Sequence, residues 1–316
     1  MRALLIPRFG GPEVLEIQNV PEPHPTPDQL VIKVEAGGLN FADLMTTEGG
    51  YAGTPKPPLV AGREFSGIDP SGRRVMGYAQ YAAFAEQTAA HRALIWPAPA
   101  GWSAEQAAAF PVNFFTAYFA YWKAGLLDNP RGTSVLIHAV AGGVGTAAVQ
   151  IGKTLGIEMY GTSSSEEKIA RVRELGLQHP INYKQKDYVE AIKEQTGGKG
   201  VDAVFEMLGG DNVARSVKCV GNFGRVIVYG AASGQTPTLD TRTLYAKGAS
   251  VHGLWLTYLS QNRELMDKAW RQLSEWVNAG KLNPVIGKVF PITEARAAYT
   301  LLKEGKNYGK IVLKVT

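Results

Sequence analysis

The sequence predicts an α/β protein in which a doubly wound parallel sheet is accompanied by a β-rich segment. Residues 133–161 read as a strand, a glycine-rich turn, a helix and the start of a second strand. The chain that follows alternates short apolar runs with helical patterns, which is typical of a parallel sheet covered by helices. Residues 1 to about 100 instead carry short apolar runs between proline- and glycine-rich connectors, without a βαβ pattern.

The glycine-rich turn carries the strongest functional signal. It follows an apolar run over residues 134–140 that is typical of a buried parallel strand. Glycines 142, 143 and 145 would let backbone N–H groups approach a pyrophosphate, and the helix N-terminus would add a partial positive charge. The spacing departs from a strict Gly-x-Gly-x-x-Gly, and a flexible turn is the alternative. The flanking strand and helix favour dinucleotide binding.

The remaining elements follow from local patterns. Ser103, with Gln106 three residues later, predicts a helix start. Apolar residues then dominate from 107 to 122, through Pro111, which predicts a hinge of helices leading into the cofactor domain. The predicted strands are residues 3–6, 30–34, 81–86, 180–183, 202–207, 225–230, 250–256 and 310–315. The predicted later helices are residues 165–175, 188–195, 264–277 and 295–302.

Composition excludes several classes of protein. The chain of 316 residues has a net charge of +5, and its basic residues form no cluster of the kind that binds nucleic acid. No apolar stretch approaches the roughly 20 residues that span a bilayer, and no leader peptide is recognisable. We therefore expect a cytoplasmic protein without nucleic-acid or membrane partners. The single cysteine, Cys219, excludes an internal disulfide and a four-thiolate zinc site.

Several motifs in the same order resemble one family from end to end. The motifs are Gly38-Leu39-Asn40-Phe41-Ala42-Asp43, Gly62-x-Glu64-Phe65-Ser66-Gly67, Phe110-Pro111-Val112 through Thr116-Ala117-Tyr118, His138 through Gly145, Ile181-Asn182-Tyr183 and Gly309-Lys310-Ile311-Val312-Leu313. Together they resemble the zinc-independent, zeta-crystallin-like quinone oxidoreductases of the medium-chain dehydrogenase/reductase superfamily. One departure is the short segment between Gly67 and Tyr81, where the family usually has a longer surface loop. The resemblance therefore does not predict the edge of the substrate cleft.

The resemblance implies a GroES-like β domain over residues 1–110, completed by residues 285–316. It also implies a Rossmann NADPH-binding domain over residues 111–284, with the cofactor in the cleft between the two domains. A homodimer is expected, and the apolar residues 250–256 could pair across a two-fold axis to extend the sheet.

Zinc is not expected in this branch. Zinc alcohol dehydrogenases of the superfamily place a cysteine ligand where this chain resembles them at Asn40, and a histidine ligand at Arg63. Neither an amide nor a guanidinium replaces those donors, and the five histidines show no ligand spacing. Without a Lewis acid, reduction of a quinone or another electron-poor double bond is favoured over alcohol oxidation.

The nicotinamide cofactor is predicted from the end of the second Rossmann strand. NAD-specific sites carry an acidic residue there, whereas this chain has Gly161-Thr162-Ser163-Ser164-Ser165. By resemblance, Ser164, Lys168 and Tyr183 hold the 2′-phosphate of NADPH, with Ser163 beside them. The alternative is that the serines only cap the next helix, and Glu166 or Glu167 could still permit NADH.

Residues at the chemistry are assigned by resemblance. Asn40, Asp43 and Tyr51 line the cleft near the nicotinamide, and Asn40 also contacts the cofactor. Asn40 could donate a hydrogen bond to a carbonyl that gains negative charge, and Tyr51 could deliver a proton. The alternatives are structural: Asn40 or Asp43 at a helix start, and Tyr51 as a packed aromatic ring.

The other predicted cofactor contacts also have structural alternatives. Thr116 lies among aromatic residues that could be core, and Asn307 could be an ordinary loop residue. By motif or resemblance, the cofactor-binding set is Thr116, Ala141, Gly142, Gly143, Val144, Gly230, Ala231, Leu254, Trp255, Leu256 and Asn307, besides the residues named above.

The sequence therefore predicts an NADPH-dependent quinone reductase that transfers hydride without a metal. The nearest alternative is a reductase of α,β-unsaturated ketones or enoyl thioesters, which would use the same cofactor. A non-enzymatic protein that has kept the fold to bind a cofactor or nucleic acid ranks lower. Its marks would be a broken glycine turn or a stripe of basic residues, and the sequence has neither.

Overall fold

The computed structural model describes residues 1–315, which form two compact units. The first unit holds residues 1–113, 257–270 and those from 283 onward. The second holds residues 114–256 and 271–282. The predicted domain boundaries at residues 110 and 284 stay a prediction.

The strands and helices are numbered in chain order. The strands are β1 (Arg2–Ile6), β2 (Glu16–Asn19), β3 (Gln29–Leu39), β4 (Leu59–Val60), β5 (Glu64–Ile68), β6 (Arg74–Tyr78), β7 (Gln87–His91), β8 (Ile95–Pro97), β9 (Ser134–Ile137), β10 (Glu158–Ser163), β11 (His179–Asn182), β12 (Val201–Glu206), β13 (Val220–Val228), β14 (Ser250–Gly253), β15 (Ile286–Pro291) and β16 (Lys310–Lys314). The helices are α1 (Phe41–Thr47), α2 (Ala104–Ala108), α3 (Pro111–Lys123), α4 (Gly143–Leu155), α5 (Glu166–Leu175), α6 (Tyr188–Gln195), α7 (Asp211–Cys219), α8 (Thr241–Lys247), α9 (Leu256–Leu259), α10 (Arg263–Asn278) and α11 (Ala295–Lys303).

The first unit is built around the long strand β3. One sheet runs β15-β16-β3-β5-β6-β8, with β7 also paired to β3, and a smaller sheet runs β2-β1-β4. β3 pairs antiparallel with both β16 and β5, so its carboxyl end lies beside their amino ends. The predicted return of the terminal strand to the N-terminal sheet is confirmed. The same pairing brings the start of α1 close to the first residues of β5 and β16.

The second unit contains a six-stranded sheet in the order β11-β10-β9-β12-β13-β14. Neighbouring strands pair parallel throughout. The strand order turns back at β9, because β10 lies on one side of it and β12 on the other. In sheets of this kind ligands bind outside the carboxyl ends of the strands at that point. The predicted doubly wound parallel sheet is confirmed.

Two predicted strands differ from the structure. Residues 81–86 are irregular apart from a bridge between Ala3 and Ala85, and β7 begins only at Gln87. The run is apolar because Phe84 is fully buried. Its N–H donates to the Ala61 carbonyl and its carbonyl accepts from the Leu4 N–H of β1, so its two backbone bonds go to different segments rather than to one strand. The predicted strand over residues 250–256 ends at Gly253, because α9 begins at Leu256.

The predicted helix over residues 188–195 is confirmed without change as α6. Helices α7 and α8 were not predicted. Within residues 1–315, no helix combines the length and the apolar composition that crossing a membrane requires.

Candidate active site and cofactor site

Asn40 lies where β3 ends and α1 begins. Its backbone N–H donates to Asp43 Oδ2 at 2.8 Å, which is one of the two hydrogen bonds of a capping box at the start of α1. Its side-chain Nδ2 donates to the Gly38 carbonyl at 3.1 Å and to Glu64 Oε1 at 2.8 Å. Both hydrogens of Nδ2 are thus used within the protein. A hydrogen bond from this amide to a substrate would require one of those contacts to break.

A buried ammonium group completes the surroundings of Asn40. Lys310 Nζ donates to Asn40 Oδ1 at 2.6 Å, lies 3.4 Å from Asn113 Oδ1 and forms an ion pair with Glu64. Glu64 Oε2 also accepts from the Val112 N–H at 2.7 Å. Lys310 and Glu64 are 2% and 0% exposed, so each charge depends on the other. This network also orients the Asn40 amide, because the ammonium must meet its oxygen and the carboxylate its nitrogen.

Sequence reasoning missed Lys310, Asn113 and the role of Glu64. A signal was present, since each charged residue directly precedes a run that is largely buried, Phe65–Gly67 after Glu64 and Ile311–Leu313 after Lys310. Charged groups are rarely fully buried unless they are paired.

Arg63 connects Asp43 to Tyr51. Its Nε lies 3.8 Å from Asp43 Oδ1, and its other nitrogens donate to Thr46 Oγ1 at 2.7 Å and to the Gln80 carbonyl at 3.1 Å. The guanidinium carbon lies 4.0 Å from the centre of the Tyr51 ring and 5.0 Å from that of Tyr81. Both distances are typical of cation–π contacts. The predicted residues Asn40, Asp43 and Tyr51 therefore meet through Arg63.

Asp43 is the titrating group of this cluster. Burial raises the pKa of Asp43 to about 6, although the charge of Arg63 and the Asn40 N–H act in the opposite direction. Its side chain is 2% exposed. Asp43 thus has two roles. It accepts a hydrogen bond from the Asn40 N–H at the start of α1, and among the described residues it is the only carboxylate in ion-pair contact with Arg63.

The hydroxyl of Tyr51 lies beside α9. Its oxygen is 3.4 Å from Thr257 Oγ1, which is 2.8 Å from the hydroxyl oxygen of Tyr78. Burial raises the pKa of Tyr78, so that this group stays a neutral hydroxyl. Tyr51 is partly exposed, whereas Tyr78 is 4% exposed. Of the two phenols, Tyr51 is the one that a small molecule could contact.

The donor set of this cluster does not fit zinc. Catalytic zinc is held by thiolate, imidazole and carboxylate groups. Here the two corresponding positions hold an amide bonded to Lys310 and a guanidinium stacked on Tyr51. Within residues 1–315, histidine, cysteine, aspartate and glutamate side chains form no group of three or more that could hold a metal ion.

In the second unit, the glycine turn leads from β9 into α4. Ala139 adopts a φ of +48°, which reverses the chain after the strand. The first intrahelical bond runs from the Thr146 N–H to the Gly142 carbonyl at 2.9 Å, so the N–H groups of residues 143–145 precede it. A Cβ on Gly145 would lie 2.5 Å from two carbonyl oxygens of the turn, which only glycine avoids. The turn suits the pyrophosphate of a dinucleotide.

The end of β10 carries the predicted 2′-phosphate residues. Ser163 is buried, and Ser165 caps α5 by accepting from the Lys168 N–H at 3.3 Å. The capping alternative therefore holds for Ser165. Burial lowers the pKa of Lys168; the Glu167 carboxylate acts in the opposite direction, and the Lys184 ammonium lowers the pKa further. Tyr183, half exposed, follows β11 with its N–H bonded to the Ser163 carbonyl. The ammonium groups of Lys168 and Lys184 thus lie near the end of β10. Residues 161–165, at the end of that strand, include no acidic side chain.

The remaining predicted cofactor residues lie in different parts of the two units. Thr116 is buried on α3, and a Cβ on Gly230 would lie 2.8 Å from the Met207 carbonyl oxygen. Leu254 continues β14 by donating to the Val228 carbonyl at 2.8 Å. Asn307, in the first unit, donates to the Gly309 carbonyl at 3.0 Å. That bond is the kind expected of a structural loop residue. The predicted roles of these residues stay predictions.

Comparison with known proteins places this arrangement in a family. Residues 26–100 match the alcohol dehydrogenase GroES-like domain, and residues 143–277 match the zinc-binding dehydrogenase family. These two domains together define a medium-chain dehydrogenase/reductase, which is a class of oxidoreductases. Within it, the chain belongs to the zeta-crystallin-like quinone oxidoreductase branch, as its motifs predict.

Individual relatives cover nearly the whole chain. The synaptic vesicle membrane protein VAT-1 homolog of Homo sapiens is 33% identical over 99% of this chain and 86% of its own length. The quinone oxidoreductase of Homo sapiens is 31% identical over 99% of this chain and 97% of its own. The quinone oxidoreductase of Thermus thermophilus, whose structures include a complex with NADPH, is 34% identical with a TM-score of 0.87, covering 99% of this chain and 100% of its own.

Proposed function

We propose that this protein is an NADPH-dependent quinone reductase that transfers hydride without a metal ion. The observation that carries the proposal is the cluster in the first unit, where the buried guanidinium of Arg63 packs on the ring of Tyr51. By resemblance, Arg63 stands where related dehydrogenases place a zinc-binding histidine. When bound, the nicotinamide supplies the hydride, and the protein contributes binding, orientation and exclusion of water. The known NADPH complex of a relative supports the choice of cofactor.

Residues of the second unit would bind the cofactor. The N–H groups at the start of α4, next to Gly142, Gly143 and Val144, suit the pyrophosphate. Lys168, with Ser163, Ser164 and Tyr183, suits a 2′-phosphate, because no acidic side chain directly follows β10 to repel it. The positive charge of Lys184 would add to that preference.

Residues of the first unit would contact the substrate. Tyr51 would donate its hydroxyl proton to the substrate oxygen that gains charge, and would regain a proton from water. Arg63 holds the Tyr51 ring in place and adds a positive charge behind it. Asn40 and Asp43 maintain the start of α1 and the position of Arg63. Because both Nδ2 hydrogens of Asn40 have acceptors, the hydrogen bonds support a structural role for its amide.

The same site would serve an enone, whose enolate oxygen also needs a proton. The two substrate classes are separated by measuring NADPH oxidation, with NADH alongside, against 1,4-benzoquinone, 9,10-phenanthrenequinone, a simple enone and crotonyl-CoA. Turnover with a quinone above that with the enone and the thioester is expected. Faster reduction of the enone or the thioester would replace the proposal by the alternative reductase. NADPH binding without turnover on any of the four would leave a cofactor-binding protein.

We further propose a homodimer formed along β14. This strand ends the parallel sheet, and no strand within residues 1–315 pairs with its outer side. Exposed strand edges of this kind pair readily across a two-fold axis. Sedimentation equilibrium should give twice the chain mass of 34.1 kDa. A single-chain mass would refute the dimer. Location in the cytoplasm stays a prediction.

A further inference from the structure

The second unit contains a buried polar cluster that the proposed chemistry does not use. It consists of His138, Thr162, Glu206 and Ser216, each 2% exposed or less. His138 Nδ1 lies 3.0 Å from Thr162 Oγ1, and its Nε2 lies 3.1 Å from Ser216 Oγ. Ser216 Oγ in turn lies 2.6 Å from Glu206 Oε2. Four polar side chains thus form one continuous chain of hydrogen bonds.

The direction of every bond follows from the carboxylate at one end. Glu206 Oε1 accepts from the N–H groups of Leu208 at 2.6 Å and Gly209 at 3.0 Å, and Oε2 accepts the Ser216 hydroxyl hydrogen. Since that hydroxyl has one hydrogen, Ser216 Oγ must accept from His138 Nε2–H. The Nδ1 atom of a neutral imidazole then carries the lone pair and accepts from the Thr162 hydroxyl. Burial lowers the pKa of His138, although the Glu206 carboxylate, whose Oε2 lies 3.5 Å from Nε2, acts in the opposite direction. The net lowering agrees with a neutral ring.

This cluster differs from a hydrolytic triad in spite of its composition. In such a triad the serine hydroxyl donates to the histidine, which removes its proton. Here Ser216 donates to Glu206 and is 0% exposed. Nucleophilic catalysis by Ser216 is therefore not supported, and the cluster calls for another role.

The chain of hydrogen bonds joins the ends of three neighbouring strands. Thr162 belongs to β10, His138 follows β9, and Glu206 ends β12. Each of them directly precedes a segment of the nucleotide site. Ser163 follows Thr162, the glycine turn follows His138, and the Met207 carbonyl, against which Gly230 packs, follows Glu206. These strand ends surround the point where the sheet order turns back, at which cofactors bind in this kind of fold.

We propose that His138 is a positioning residue of the nucleotide site, a neutral Nε2–H imidazole that fixes the glycine turn relative to the loops after β10 and β12. The inference rests on the proposed NADPH binding, because its effect is measured on that ligand. His138 itself is 1% exposed. It acts through Thr162 on one side and through Ser216 and Glu206 on the other.

The first experiment measures the tautomer of His138 by ¹⁵N NMR of the histidine-labelled protein without cofactor, with H138Q identifying the signals. The expected result is a protonated Nε2 and an unprotonated Nδ1. Glu206→Gln should reverse the tautomer, because the new amide donates to Ser216 and every bond then points the other way. A protonated Nδ1 in the native protein, or an unchanged tautomer in E206Q, would overturn the directional chain.

The second experiment measures the dissociation constant of NADPH by fluorescence. Thr162→Val removes the hydroxyl and keeps the shape, so NADPH should bind about tenfold more weakly. Thr162→Ser keeps the hydroxyl and should restore most of the affinity. Thr88→Val is the matched control, since Thr88 is also a buried strand residue and its hydroxyl has no hydrogen-bond partner among residues 1–315. Ser216→Ala should weaken binding in the same way as T162V.

Melting temperatures separate positioning from loss of folding. T162V and S216A variants that melt cooperatively and bind NADPH as tightly as T88V would overturn the positioning role. A native protein that binds no NADPH would instead refute the proposed function, while the tautomer measurement, which needs no cofactor, would still decide whether the chain of hydrogen bonds exists.

Discussion

The guanidinium carbon of Arg63 lies 4.0 Å from the centre of the Tyr51 ring, and its Nε lies 3.8 Å from Asp43 Oδ1. A charged network thereby holds a phenol that a substrate could reach. The two residues are close in the sequence, since Tyr51 lies shortly after α1 and Arg63 directly precedes β5. Its consequences can be measured separately from those of cofactor binding.

Replacing Tyr51 by phenylalanine should lower kcat for quinone reduction by about 100-fold, the lower end of the range for a lost proton donor. The ring and its contact with Arg63 remain, so the melting temperature should change little. The hydroxyl contact to Thr257 is long, at 3.4 Å, and contributes little to folding. Steady-state kinetics and a melting curve test this expectation. Tyr245→Phe, at an exposed site, is the control. An unchanged kcat would remove Tyr51 from the chemistry.

Asp43 should make folding stability depend on pH. Its pKa is about 6 in the folded protein, above its ordinary value of 3.8. The folded state therefore binds more protons between these values, and stability falls as pH rises through this window. The free energy of unfolding of the native protein relative to Asp43→Asn should thus fall by on the order of 2 kcal/mol between pH 4 and pH 6.5. Urea unfolding at several pH values measures it. A difference that rises with pH would contradict the burial argument.

The buried pair of Lys310 and Glu64 should show strong coupling. Lys310→Met leaves a buried carboxylate without its counter-charge and should cost about 3 to 5 kcal/mol of stability. Adding Glu64→Gln removes that charge, so the double variant should recover part of the loss. Denaturant unfolding of both single variants and the double variant gives the coupling energy. Additive effects would show that the two groups do not stabilise each other.

Lys168 should distinguish NADPH from NADH. Lys168→Ala removes a cation from the proposed 2′-phosphate site, so KM for NADPH should rise about tenfold or more while KM for NADH stays nearly unchanged. Lys193→Ala on α6 serves as a control for the general loss of positive charge. Equal effects on both cofactors would show that Lys168 does not contact the phosphate.

Much of the fold could be predicted from local patterns. Apolar spacing, together with glycine and proline at the ends of elements, predicts the glycine turn, the alternation of strands and helices, and helix α6. Residues 81–86 were mistaken for a strand because a buried irregular segment is as apolar as a strand, and periodicity does not report where its backbone hydrogen bonds go.

The site could be predicted only in part. Motifs predict roles for Asn40, Asp43 and Tyr51 and for the residues beside the glycine turn, and those roles stay predictions. The motifs did not reveal that Lys310 would meet Asn40, because 270 residues separate the two positions. The cluster around His138 was missed for the same reason: its members lie on different strands and a helix, and no spacing relates them.

Residue identity and near-neighbour spacing are enough to predict the family, the parallel sheet and the lack of thiolate and imidazole at the two zinc-ligand positions. Which donors and acceptors are already used depends on the folded structure, as with the amide of Asn40 and the imidazole of His138. A buried polar group takes its protonation state and orientation from whatever partners folding brings to it, and those partners come from distant parts of the chain.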